Sequence, residues 1–188
     1  MRRGFKSWCE RATVEYRQAL GIPLAAKLDP RQLAALLDVC VSTPEDLLTL
    51  PPASLMQLTE TDAGSWSAVT ISQGNAKLVI LNSGQSPARQ ASSLAHELAH
   101  IILNHVSEQV QLSHEGFLLR TTFDKEQEEE ADWLGGCLLV PREGLLRACR
   151  CPCSLPSLAA RFGVSMDLIE WRLRMTGIQR QLKRPVSP

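Results

Sequence analysis

The sequence predicts an α+β fold: a helical N-terminal lead, a small antiparallel sheet, two paired helices and a helical C-terminal tail. Three observations carry this. Two β-branched runs flank Gln73-Gly74-Asn75 as the arms of a hairpin do. Helix start and stop signals frame the segments on either side of them. Two histidines and, later, two carboxylates recur four residues apart, the spacing that stacks side chains on one helix face. At 188 residues the chain can bury an ordinary core without disulfides or a structural metal. The expected division is a helical lead over 1–58, a core carrying both chemistry-bearing helices over 59–145 and a helical extension over 146–188, all in one compact domain.

Each element has its own signal. Lys6 to Leu20 reads as the first helix, stopped by Gly21 with Pro23 beyond it. Pro30 opens a second helix through Asp38, a third short one follows Pro44, and Pro51-Pro52 punctuates the chain. After Gly64 the runs Ser67-Ala68-Val69-Thr70-Ile71 and Lys77-Leu78-Val79-Ile80-Leu81 form the hairpin. Ser86 and Pro87 supply an N-cap and a first-turn proline for a helix to about Asn104, with Leu94, Leu98, Ile101 and Ile102 on its apolar side. Residues 105–123 show no sustained period and read as a loop or a short pairing segment. A further helix runs from about Asp124 to Leu139, ended by Pro141. Leu155 to Phe162, Gly163-Val164-Ser165 and Met166 to Met175 read as helix, tight turn and helix.

With 44% hydrophobic and 21% charged residues, the composition is that of a soluble globular protein, without the low hydrophobicity of disorder or an apolar run that would span a membrane. The N-terminus is basic but meets Cys9-Glu10-Arg11 where a signal peptide needs an apolar stretch. The expected location is therefore the cytoplasm, and the cysteines at 9, 40, 137, 149, 151 and 153 are expected as free thiols. Lys+Arg and Asp+Glu balance at 20 each, which removes the global basic field that draws proteins onto nucleic acid. The balance is uneven: six carboxylates crowd Asp124 to Asp132, and nine Arg or Lys populate residues 142 to 184.

The chemistry centres on His96-Glu97-Leu98-Ala99-His100, which fits H-E-x-x-H. Four residues on a helix bring both imidazoles to one face, where two nitrogens grip one ion. Glu97 lies beside that face, positioned as general base toward a water whose pKa the metal lowers. Read alone, the pentapeptide also fits a surface helix that happens to show two histidines. Glu128 and Asp132, at i and i+4 on the later helix, weigh against that: Glu128 reads as third ligand, and Asp132 as the acceptor that fixes the tautomer of His96 or His100. Ala131 and Gly135 beside them let two helices approach closely. Gly135-Gly136 costs about 1 kcal/mol per glycine relative to alanine in a helix, which is explicable if that surface packs on the histidine helix. Glu126 and Glu129 read as a solvated acidic helix start, and Glu130, two residues from Glu128, is the fallback ligand.

With these residues in place the chain resembles the ImmA/IrrE family of metallo-endopeptidases, in which an H-E-x-x-H helix is joined to a later E-x-E-A-(N/D)-x-(F/L)-A…L-(L/M)-x-P segment. Here that segment is Glu128-Glu129-Glu130-Ala131-Asp132-Trp133-Leu134-Gly135-Gly136-Cys137-Leu138-Leu139-Val140-Pro141, with Gly135 where the family usually has alanine. Arg17 to Gly21, Trp66-Ser67-Ala68, Phe162 to Ser165, Arg172-Leu173 and Thr176-Gly177 also look family-like. The resemblance implies a compact zincin-like fold and one catalytic zinc ion. It also implies an endopeptidase acting on regulatory proteins of mobile elements or stress responses: helix-turn-helix repressors or antitoxin-like partners. Zincins commonly add a His or Tyr that stabilises the oxyanion, and Tyr16, His105 and His114 remain as candidates, with His105 reaching the metal only if its helix ends near Asn104.

Two features stand outside this reading. Cys149, Cys151 and Cys153 place three thiols within five residues, poor spacing for a second zinc and closer to a cysteine-rich loop. The basic helix, turn and helix of the tail resembles a DNA-reading unit, but Leu168, Ile169, Trp171 and Leu173 at helical spacing read as core packing, so direct DNA binding is not expected. The rival function is a non-catalytic regulatory module, whose zinc is structural and which contacts a repressor or DNA.

Overall fold

A computed structural model describes residues 1–48, 50–105, 110–112, 118–120 and 124–182. Helix α1 (Phe5–Ala19) buries Cys9, Ala12, Thr13 and Arg17, a single stripe at helical spacing. It stops because Gly21 takes φ 67°, which lets Ile22 N–H reach the Arg17 carbonyl at 2.8 Å. Helix α2 (Pro30–Leu36) is N-capped by Asp29. It ends short of Asp38, because that residue adopts φ 59° and turns the chain into strand β1 (Val39–Ser42), which has no counterpart in the sequence reading. The short helix expected after Pro44 is a single 3₁₀ turn, Pro44–Asp46, closed by a Thr43/Asp46 capping box. Helix α3 (Pro52–Met56) and a π turn, Gln57–Thr61, lead to the hairpin.

Strands β2 (Ala68–Gln73) and β3 (Ala76–Leu81) pair antiparallel with Thr70 opposite Val79, as expected. The sheet is mixed, because β1 adds in parallel along the other edge of β3, giving the order β1-β3-β2. That central placement explains why Val79, Ile80 and Leu81 are all buried. Helix α4 (Pro87–Ile102) packs against β2 and β3, with Ser86 Oγ accepting from the Arg89 N–H at 3.3 Å. Strands β4 (Val110–Leu112) and β5 (Leu118–Arg120) form the short pairing segment. Helix α5 (Lys125–Leu139), N-capped by Asp124, lies along both α4 and α1.

Helix α6 (Arg142–Ala148) follows Pro141 at once. Helices α7 (Leu155–Phe162) and α8 (Met166–Thr176) form the predicted pair around Gly163, at φ 68°, and α9 (Ile178–Leu182) closes the described chain. One apolar cluster joins α1, α2, the sheet, α4 and α5. A second gathers Leu139, Val140, Leu145, Leu158, Phe162 and Ile169 beyond the end of α5.

That end of α5 is held by two buried arginines. Arg17 donates to the Leu138 carbonyl at 3.0 Å and the Leu139 carbonyl at 2.9 Å, and also to Pro23 and Ala26. Arg172 donates to the Val140 carbonyl at 2.8 Å and pairs with Glu10. The last carbonyls of a helix have no partner within it, so these side chains from α1 and α8 satisfy them. Burial lowers the Arg17 pKa to about 10, still far above neutrality, so the guanidinium stays charged. Among the described residues no helix is long and apolar enough to cross a membrane.

Candidate metal centre

The site lies between α4 and α5, whose backbones come close together beside it. A Cβ on Gly135 would sit 3.2 Å from the Ala95 carbonyl oxygen and 3.3 Å from the backbone nitrogen of His96, so glycine gives the tight approach its room. Gly136 serves a different contact from the one expected: a Cβ there would lie 2.6 Å from Trp171 Cζ3, because the indole of α8 fills that space.

On α4, His96 and His100 bring their Nε2 atoms to 3.0 Å. Glu128, reaching across from α5, places Oε2 3.3 Å from His96 Nε2 and Oε1 3.3 Å from His100 Nε2. Among the described residues, this is the group arranged so that it could hold a metal ion. Each of the three is partly buried.

The surrounding side chains orient these three. Asp132 Oδ1 lies 2.9 Å from His96 Nδ1, which assigns its contact to His96, one of the two histidines the sequence left open. Burial opposes charge on His96, but the Asp132 hydrogen bond and charge, reinforced by Glu97 and Glu128, outweigh it and hold the imidazole above its ordinary pKa. Glu97 is buried and accepts a hydrogen bond from the Thr70 hydroxyl of β2. Sequence reasoning missed Thr70: its strand was legible, but no local signal tells which helical side chain it meets 27 residues away.

Helix α4 ends two residues earlier than expected, in a geometry that decides where His105 goes. Asn104 adopts φ 50°, its N–H reaches the Ile101 carbonyl at 3.2 Å, and the His105 N–H reaches the His100 carbonyl at 3.0 Å. This paired closure folds the chain back under the last turn. The His105 ring therefore stands edge-on to His100, with centroids 5.0 Å apart. Its Nδ1 lies 3.0 Å from His100 Nδ1 and its Nε2 3.4 Å from Glu130 Oε2. Both ring nitrogens of His105 thus face neighbouring side chains, His100 on one side and Glu130 on the other. Glu130, the fallback ligand, faces His105 and stands outside the ligand group. Glu126 and Glu129 are exposed. Tyr16 packs against the core, and His114 lies outside the described residues.

Cys151 and Cys153 are exposed, and burial together with the neighbouring Cys153 pushes the Cys149 thiol up to about 11. No group placed to share an ion is formed by these thiols among the described residues. In the tail, Ile169, Arg172 and Leu173 are buried, so the second helix of the pair is committed to the core.

The profile of the IrrE N-terminal-like domain, peptidase family M78, matches residues 56–174. The chain belongs to this family. The matched segment of this IrrE N-terminal-like protein runs from the last residue of α3 into α8 and contains His96, Glu97, His100, Glu128 and Asp132. A solved structure described as a Mycobacterium tuberculosis transcriptional regulator superposes with a TM-score of 0.53 at 20% identity, over 98% of this chain and 49% of that one. At that identity the likeness is one of fold, and the chain spans about half the length of the regulator. A search of curated proteins finds no match.

Proposed function

We propose that this IrrE N-terminal-like protein is a zinc-dependent endopeptidase. Its ligands are His96, His100 and Glu128, its general base is Glu97, and its substrate is a regulatory protein, a helix-turn-helix repressor or antitoxin-like partner. The observation that carries the reading is the convergence of three side chains from two helices: the two histidine Nε2 atoms lie 3.0 Å apart, and each has one Glu128 carboxylate oxygen at 3.3 Å. A tetrahedral zinc with bonds of about 2.0–2.1 Å spaces its ligands by roughly 3.3–3.4 Å, so the donor set suits that ion. Two imidazoles and one carboxylate leave a fourth position open, the arrangement of catalytic and not structural zinc sites.

Zinc held there supplies Lewis-acid polarisation of the scissile carbonyl and a readily deprotonated water. Glu97 takes the proton on its carboxylate and passes it to the departing amine nitrogen. The Thr70 hydroxyl holds Oε2 of that carboxylate and leaves Oε1 to carry the proton. Asp132 keeps the His96 proton on Nδ1, so that Nε2 faces the metal. Family membership supports the peptidase class.

Glu97→Gln separates this from the rival, a regulatory module with a structural zinc. The variant is expected to bind one zinc but to leave a helix-turn-helix regulator encoded beside its gene intact, where the wild type cleaves it. Processing at the wild-type rate by Glu97→Gln would sink the peptidase reading. The rival draws on the fold likeness to a transcriptional regulator and requires salt-dependent DNA retention or repressor binding without cleavage.

A further inference from the structure

A zinc-ligating imidazole that uses Nε2 carries its proton on Nδ1, and that proton needs an acceptor. For His96 the acceptor is a carboxylate, Asp132. His100 meets a second imidazole instead, with Nδ1 of His105 3.0 Å from its own Nδ1. Two protonated nitrogens cannot face each other at that distance, so His105 Nδ1 is the bare one. A neutral His105 then carries its proton on Nε2, which faces Glu130 Oε2 at 3.4 Å. With a metal on His100 Nε2 and a neutral His105, the order follows: His100 Nδ1–H donates to His105 Nδ1, and His105 Nε2–H donates to Glu130.

We propose that His105 and Glu130 are positioning residues for the metal ligand His100, with the Glu130 carboxylate acting through His105 as Asp132 acts directly on His96. This rests on the metal being held by His96, His100 and Glu128. Three features of the chain build the arrangement. The left-handed Asn104 turns His105 under the last turn of α4, where its N–H also bonds the His100 carbonyl. Helix α5 supplies the third ligand Glu128 and both outer carboxylates, Glu130 and Asp132, so one helix sets all three. The side chains of His105 and Glu130 are 8% and 13% exposed, against 70% for Asp132, so the relay works in the drier half of the site, where a hydrogen bond is less weakened by water.

The test is zinc affinity of the full chain, measured by competition with a chromogenic chelator. The wild type is expected to bind one zinc. His105→Leu, which removes the acceptor, is expected to weaken binding by about 10- to 100-fold. His105→Asn, whose amide oxygen stands where Nδ1 stood and accepts from His100 but whose side chain is too short to reach Glu130, is expected to bind zinc more tightly than His105→Leu and about as tightly as Glu130→Ala, a rescue that a mere packing role would not give. Glu130→Ala is expected to weaken binding in the wild-type background and to have no further effect beside His105→Leu, since it acts through that ring. Wild-type affinity in His105→Leu, or equal Glu130→Ala losses in both backgrounds, overturns the relay. If His105→Leu does not fold, imidazole ¹⁵N spectra of the zinc-loaded wild type decide: His105 protonated on Nε2 supports the relay, and protonation on Nδ1 overturns it. A wild type that takes up no zinc overturns the metal-peptidase reading itself, and the relay with it.

Discussion

In the proposed zinc site a proton and the metal ion would compete for Nε2 of His96. In the metal-free protein the raised pKa of this imidazole means that its protonated pairing with Asp132 adds stability. That contribution is present in full below about pH 6.5, the unfolded value, and is lost as pH rises through the higher folded value. Metal binding must expel the same proton, so zinc affinity is expected to climb over that interval and to release protons as it does. Asp132→Asn, which removes the charge that lifts the pKa, is expected to move the climb to lower pH while weakening affinity at the plateau; chelator competition across a pH series reads both. Four-residue spacing made His96, His100, Glu128 and Asp132 legible, because helical geometry alone stacks such pairs. Thr70, and the positions of His105 and Glu130, were not legible. They depend on how a strand meets a helix and on the left-handed turn at Asn104, which the local sequence does not announce.

Between elements, Gly135 sets the distance across which Glu128 must reach. Alanine there gains about 1 kcal/mol of helix propensity but presses on the Ala95 carbonyl at 3.2 Å, so Gly135→Ala is expected to be nearly neutral. Gly135→Leu has no such room and is expected to cost about 1–3 kcal/mol by overpacking, with zinc affinity falling alongside stability because α5 is pushed off α4. Thermal melting and chelator competition on the two variants check this. The helices with a cap and a stop signal were read from sequence to within a few residues, α1, α4, α5, α7 and α8 among them. Strand β1 and helix α6 were not. Val39–Ser42 is too short to show a period, and Arg142–Ala148 follows a proline that reads as an end and serves as a beginning.

Across the whole molecule, residues far apart in sequence meet at the carbonyl end of α5. Arg17 lies outside the family-matched segment, yet it satisfies carbonyls of that segment 121 and 122 residues away. Its family-like appearance in the sequence thus has a physical cause: the helical lead completes the helix that bears Glu128. Arg17→Met is expected to cost about 3 kcal/mol through the stranded carbonyls, lowering the melting temperature by roughly 6–12 °C. Lysine is not expected to rescue it, since one ammonium lacks the planar fork that spans four carbonyl groups. Differential scanning calorimetry measures both.

The proposed metal centre is tested most directly by zinc-edge X-ray absorption on the zinc-loaded chain. One equivalent of zinc with only nitrogen and oxygen neighbours at about 2.0–2.1 Å is the result expected of His96, His100 and Glu128. A sulfur shell at about 2.3 Å, which would place the ion on the Cys149, Cys151 and Cys153 loop, or the absence of bound zinc, would contradict it.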